Sequence, residues 1–162
     1  MKLEGSCACG SITFAVESQH PYPFNVCYCS ICRKTGGGGG FAINLGADAD
    51  SLVIKGEESR SVYRAEISDP TTSALELSSA ERSFCKHCGS ALWLWDPRWP
   101  KLLHPIASAI DSELPIPPER THLMLAYKSS WIKTDLSDGD KSFDEYPDES
   151  IAEWHERLGL KV

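Results

Sequence analysis

The chain has 162 residues, 41% hydrophobic and 24% charged, which suits one folded domain over 1–162 with its own core and excludes a low-complexity chain. The formal net charge of -7 repels phosphate backbones, so nucleic acid is not an expected partner. No segment approaches the roughly 20 apolar residues of a membrane helix, and residues 1–10 lack the apolar core of a signal peptide, so no membrane partner and a cytoplasmic location are expected.

In chain order, residues 11–16 alternate Ile12, Phe14 and Val16 against polar or small neighbours, which predicts a half-buried strand. Pro21 and Pro23 break the connection that follows. Residues 41–45, 51–55 and 60–64 read as short strands, and 68–79 as a loop or hairpin tip. Residues 83–85 lead into a cysteine cluster, and 91–95 alternate again until Pro97 and Pro100. Residues 102–110 read as a further strand with an irregular start at Pro105, and 123–127 as a late one. Pro115, Pro117 and Pro118 forbid regular structure around them. One helix is expected at 150–158: Ser150 and Glu153 form a capping-box pair, and Ile151, Trp154 and Leu158 supply an apolar stripe that packs on a sheet edge. The expected class is mainly β with a short C-terminal helix.

The seven cysteines carry the chemistry. An odd number cannot pair completely, and a reducing compartment disfavours disulfides. Clustered cysteines there point to metal or catalysis. Cys7 and Cys9 form C-x-C; Cys27, Cys29 and Cys32 form C-x-C-x-x-C; Cys85 and Cys88 form C-x-x-C ahead of Gly89. Zinc takes thiolates in a tetrahedron. A C-x-x-C turn brings two sulfurs together, Gly89 permits its tight backbone, and a C-x-C pair on a strand shares a face.

The natural partition gives one zinc Cys7, Cys9, Cys85 and Cys88, a closed and therefore structural set. Cys27, Cys29 and Cys32 remain for a second ion, and three protein ligands are the catalytic pattern. A different split, an iron–sulfur cluster, a redox pair at Cys85 and Cys88, and metal-free buried cysteines are the alternatives.

The stretches GSCACGSITF (5–14), CYCSICRKTGG (27–37), FCKHCGSALW (84–93) and HPIASAID (104–111) resemble the glutathione-dependent formaldehyde-activating enzyme family, shared with the centromere protein V domain. The resemblance implies an Mss4-like β-tent of small antiparallel sheets around structural zinc. It implies two zinc ions per chain, divided among the cysteines as above. It implies a carbon–sulfur lyase resembling S-(hydroxymethyl)glutathione synthase, with glutathione or another small thiol as partner. Tyr28 departs from the pattern, since many members carry His there.

An ion with three thiolates is a mild Lewis acid, suited to keeping an exogenous thiol deprotonated for addition to an aldehyde. Arg33 and Lys34 follow the last ligand and can meet substrate carboxylates or simply ease the anionic centre. His104 can donate a proton to a developing alkoxide, or orient a loop. The run at 36–40 reads as a flexible hairpin that can also act as a lid or anion nest; it lacks the ending of a phosphate loop. Trp93, Trp95 and Trp99 are pocket-wall or core candidates with Tyr28, and His87 faces solvent. Two other functions stand beside the enzyme: a non-catalytic zinc-braced module that binds a protein partner, and a thiol-rich metal buffer.

Overall fold

The computed structural model describes residues 1–36, 38–68 and 72–160. In chain order the elements are β1 (Lys2–Ser6), β2 (Thr13–Glu17), β3 (Asn25–Cys27), α1 (Ser30–Gly36), β4 (Ala42–Ile43), β5 (Ala47–Asp48), β6 (Val53–Lys55), β7 (Arg60–Tyr63), β8 (Glu66–Ser68), β9 (Leu75–Leu77), β10 (Glu81–Cys85), β11 (Ala91–Trp95), β12 (Leu102–Pro105), β13 (Thr121–Leu123), β14 (Lys141–Ser142) and α2 (Ile151–Arg157). They form small sheets in the orders β1-β2-β6, β5-β12-β11-β10-β7 and β14-β13-β3-β4, plus the β8-β9 hairpin. Every pairing is antiparallel except those of β13, which runs parallel to β3 and β14.

The core sits between the first two sheets. Alternation on β1 and β2 turns Leu3, Phe14 and Val16 inward, as a period-two strand must. They meet Leu45, Leu92, Trp93 and Leu103, and the Phe14 and Trp93 rings pack edge to face at 5.1 Å. Cys7 and Cys85 belong to this same buried cluster, so the first cysteine group is rooted in the core.

The C-terminal helix forms as its sequence requires. Ser150 accepts from the Glu153 N–H while the Glu153 carboxylate accepts from the Ser150 N–H. Trp154 is fully buried and stacks on Phe24 at 3.7 Å between ring centres. The helix thus packs on the segment leading into β3 rather than on a sheet edge.

Two of the expected strands give way to 3-10 turns. Residues 102–110 divide into β12, which ends at Pro105, and a 3-10 turn at Ala107–Ala109. Residues 123–127 leave the sheet because Met124 takes a left-handed conformation (φ 61°), which starts the 3-10 turn Leu125–Tyr127. In the segment 68–79, β9 pairs with β8 as an antiparallel hairpin, and residues 69–71 lie outside the described residues. Gly36 ends α1 and Gly38–Gly40 turn toward β4, while Gly37 also lies outside them.

Candidate metal centres

Cys7 and Cys9 lie in the turn between β1 and β2, and Cys85 and Cys88 at the end of β10 and in the turn to β11. The four sulfurs all lie within 4.8 Å of one another. Cys7 and Cys9 are 3.6 Å apart and Cys9 and Cys85 3.7 Å. A tetrahedron with Zn–S near 2.3 Å has an edge of about 3.8 Å, so the set fits a zinc ion. The C-x-C pair achieves this through a turn, not along a strand as its spacing suggested. Alternate strand residues sit about 6.5 Å apart, too far for one tetrahedral edge. Gly10 N donates to Cys7 O at 3.0 Å to close that turn. Gly89 takes φ 75°, the tight backbone expected after C-x-x-C.

Neighbouring polar groups hold these sulfurs. Ile12 N donates to Cys7 Sγ at 3.2 Å, and Cys9 Sγ lies 3.3 Å from the Ser11 hydroxyl. Ser90 Oγ accepts from Ala8 N at 3.0 Å and lies 3.2 Å from Cys88 Sγ, so one hydroxyl couples both halves of the cluster. That hydroxyl and nearby backbone N–H groups bring the Cys88 thiol down to about 5, while burial pushes Cys85 up to about 11.

The second cluster is local. Cys27 ends β3, Tyr28 N donates to Leu123 O at 3.0 Å, and α1 starts after Cys29. Cys32 N then donates to Cys29 Sγ at 3.3 Å. The three sulfurs also converge within 4.8 Å, and among the described residues no His, Asp, Glu or fourth Cys joins them. Hydrogen bonds from the Cys27 and Cys32 thiols hold Cys29 well below the ordinary thiol range, and the bond to Cys29 pushes Cys27 up. Three thiols at contact share their protons in this way until a cation displaces them.

Tyr28 points away from a substrate role. Its hydroxyl is buried and meets His122 Nδ1 at 2.9 Å, and His122 Nε2 lies 3.6 Å from Asp140, too long for a direct hydrogen bond. Burial lowers the His122 pKa, partly offset by Asp140, so the ring is neutral at pH 7. The row braces the loop that carries Cys27 and Cys29.

The other expected site residues divide. Arg33 is half-buried, with an Nε that has no hydrogen-bond partner among the described residues; Lys34 is exposed. His104 packs its Nδ1 against Leu45 O at 3.0 Å. A carbonyl only accepts, so Nδ1 carries the proton; burial keeps the ring neutral and leaves Nε2 as an acceptor. Trp93 is buried yet reaches a cavity wall, Trp95 packs against the core, and Trp99 is exposed under the Arg98 guanidinium. His87 is exposed.

Two hollows lie beside the cysteine clusters. One, of about 410 Å3, is lined by Cys32, Tyr63, Arg82, Phe84, Trp93 and Ile106 among others. The other, of about 480 Å3, is more polar, with Ser6, Ser90, Ser108 and Asp111 in its lining, and reaches Cys7. They share Thr35, Gly36, Gly89 and Ala91, and so meet between the clusters. Arg82 and Tyr146 are absent from the sequence reading. Tyr146 is exposed, but its hydroxyl is partly desolvated and near enough to the three cysteines that their charge also raises its pKa. Tyr146 lies far from every cysteine in sequence, and Arg82, three positions before Cys85, carries no sequence signal for the Cys32 side.

The fold and clusters define a mainly β protein with two thiolate sites that can hold metal ions. The family model described as glutathione-dependent formaldehyde-activating enzyme matches residues 2–125, and the chain belongs to that family. It is 62% identical over 161 residues, 99% of each chain, to a Halomonas elongata protein named "Putative glutathione-dependent formaldehyde-activating enzyme". A crystal structure of a Rhodobacter sphaeroides protein is also similar, at TM-score 0.52 and 25% identity, covering 71% of this chain and 92% of that one. No helix among the described residues is long and apolar enough to cross a membrane.

Proposed function

We propose that the protein is a zinc-dependent carbon–sulfur lyase or synthase that joins glutathione, or a similar small thiol, to formaldehyde and runs the reverse cleavage. Cys7, Cys9, Cys85 and Cys88 hold the structural zinc; Cys27, Cys29 and Cys32 hold the catalytic one. The observation that carries this reading is the convergence of three sulfurs with no fourth His, Cys, Asp or Glu joining them among the described residues. When bound there, zinc supplies a Lewis-acid position that favours the thiolate form of an external thiol.

In the addition, the substrate sulfur forms a bond to the formaldehyde carbon, the carbonyl π pair moves to oxygen, and that oxygen takes a proton. Cleavage reverses each change. Arg33, with an unmet N–H beside the last ligand, adds positive charge where thiolates accumulate. We assign to His104, whose Nδ1–H meets Leu45 O, the role of taking the thiol proton and returning it to the hydroxymethyl oxygen. Family membership and the named relative support the thiol and aldehyde as substrates.

The test is the exchange rate between glutathione plus formaldehyde and their adduct, measured by magnetisation-transfer NMR. The zinc-loaded protein is expected to accelerate exchange, and Cys29→Ser to return it to the uncatalysed rate while keeping a cooperative melt. Acceleration that survives in Cys29→Ser after loss of the second zinc contradicts the proposal.

A further inference from the structure

We infer that Arg82 is a carboxylate anchor, which makes the cavity beside Cys32 selective for thiols that carry an anionic end. The inference rests on the reading of Cys27, Cys29 and Cys32 as a thiol-binding centre, and it names the substrate class that centre takes.

The placement follows from strand register. Arg82 lies on β10, opposite Tyr63 of β7 and Leu94 of β11. Residues paired across strands share a face, so Tyr63, Arg82 and Leu94 form a row along one side of the sheet. All three line the cavity that Cys32 also lines.

The Arg82 guanidinium is unanswered. Its Nη1 is buried and has no hydrogen-bond partner among the described residues. The cavity walls around it are Tyr63, Phe84, Trp93, Leu94 and Ile106, which offer chiefly carbon. Three other arginines have acidic partners: Arg60 has Glu57, Arg98 has Asp96, and Arg157 has Glu149 and Glu119. Buried donors in folded proteins are almost always satisfied. A guanidinium that lines a hollow can be matched by a carboxylate, which accepts two parallel hydrogen bonds when both N–H groups reach it. The adjoining polar cleft, with Ser90, Ser108 and Asp111, gives the remainder of a peptide-like thiol a place to lie. The glycyl carboxylate of glutathione has the required chemistry.

The experiment titrates the zinc-loaded full chain by calorimetry with S-methylglutathione and with its glycyl ethyl ester. Methylation removes the thiol, so binding reports the anchor rather than the sulfur. Wild type is expected to prefer the acid by on the order of tenfold. Arg82→Gln is expected to reduce that preference to within about twofold with its zinc content unchanged, and Arg82→Lys to give an intermediate value. Equal binding of acid and ester by wild type overturns the inference, as does a preference undiminished in both variants. Loss of the second zinc from Arg82→Gln, with Arg82→Lys retaining both zinc and full preference, also overturns it and assigns Arg82 to charge balance alone. Accelerated glutathione–formaldehyde exchange without acid preference sinks the anchor and leaves the proposed reaction standing. Acid preference that tracks Arg82 without accelerated exchange does the reverse.

Discussion

The two cysteine clusters use the same chemistry to different structural ends. In the first, Cys9 and Cys85 meet at 3.7 Å across 76 positions of sequence. An ion there closes a long loop and joins the β1–β2 turn to the end of β10, inside the main core. In the second, the three cysteines span only Cys27 to Cys32, and β3, α1 and the Tyr28–Leu123 hydrogen bond already set their geometry. An ion there closes almost no chain, so its contribution to folding is small. A distant four-thiolate set suits stability, and a local three-thiolate set suits exchange with something from outside.

Breaking the first cluster should have the largest effect. Cys85→Ser removes a fully buried sulfur and the tie it makes. We expect a fall in Tm of about 10 °C or more, in line with the binding energy of structural zinc sites, and loss of the corresponding ion. Cys29→Ser should instead leave Tm within a few degrees, roughly the effect of 1 kcal/mol in a chain of this size, and lose only the second ion. Equal destabilisation by the two substitutions, measured by calorimetric melting, would erase the contrast.

Tyr28→Phe sharpens the second half of the contrast. It strands the buried Nδ1 of His122, at a cost of about 1–2 kcal/mol, and loosens the Cys27–Cys29 loop. Metal competition with a chelator should show weaker retention at the second centre alone.

The smallest expected effect belongs to neither cluster. His155 is fully buried, with Nδ1 on the Ile151 carbonyl and Nε2 accepting from Tyr22 N. Burial lowers its pKa, and His20 lowers it further. The folded form therefore binds fewer protons than the unfolded chain below about pH 6.5. The stability is present above that pH and is lost as pH falls below it. His155→Gln should flatten that part of the Tm–pH curve, with metal content followed alongside.

Much of this was legible in sequence because the signals are local. The cysteine spacings separated the two clusters, the 11–16 alternation matched the inward Ile12, Phe14 and Val16, and the Ser150–Glu153 box marked α2. What escaped depends on tertiary context. Helix α1 spans only seven residues, with no apolar period and glycines behind it, and forms where Cys29 and Cys32 converge. Met124 breaks an otherwise strand-like run through a left-handed backbone that no residue type there announces. Arg82 looks like an ordinary strand cation until the sheet register turns it toward Cys32.

The central claim is that one centre is closed by the chain and the other accepts an external sulfur. Cobalt(II) substituted for zinc reports ligand number and type through its visible absorption, so titrating the cobalt form with glutathione tests it directly. The bands of one of two ions are expected to shift on adding glutathione, with that response missing from Cys29→Ser. A spectrum that glutathione leaves unchanged, or a response that persists without Cys29, contradicts the claim.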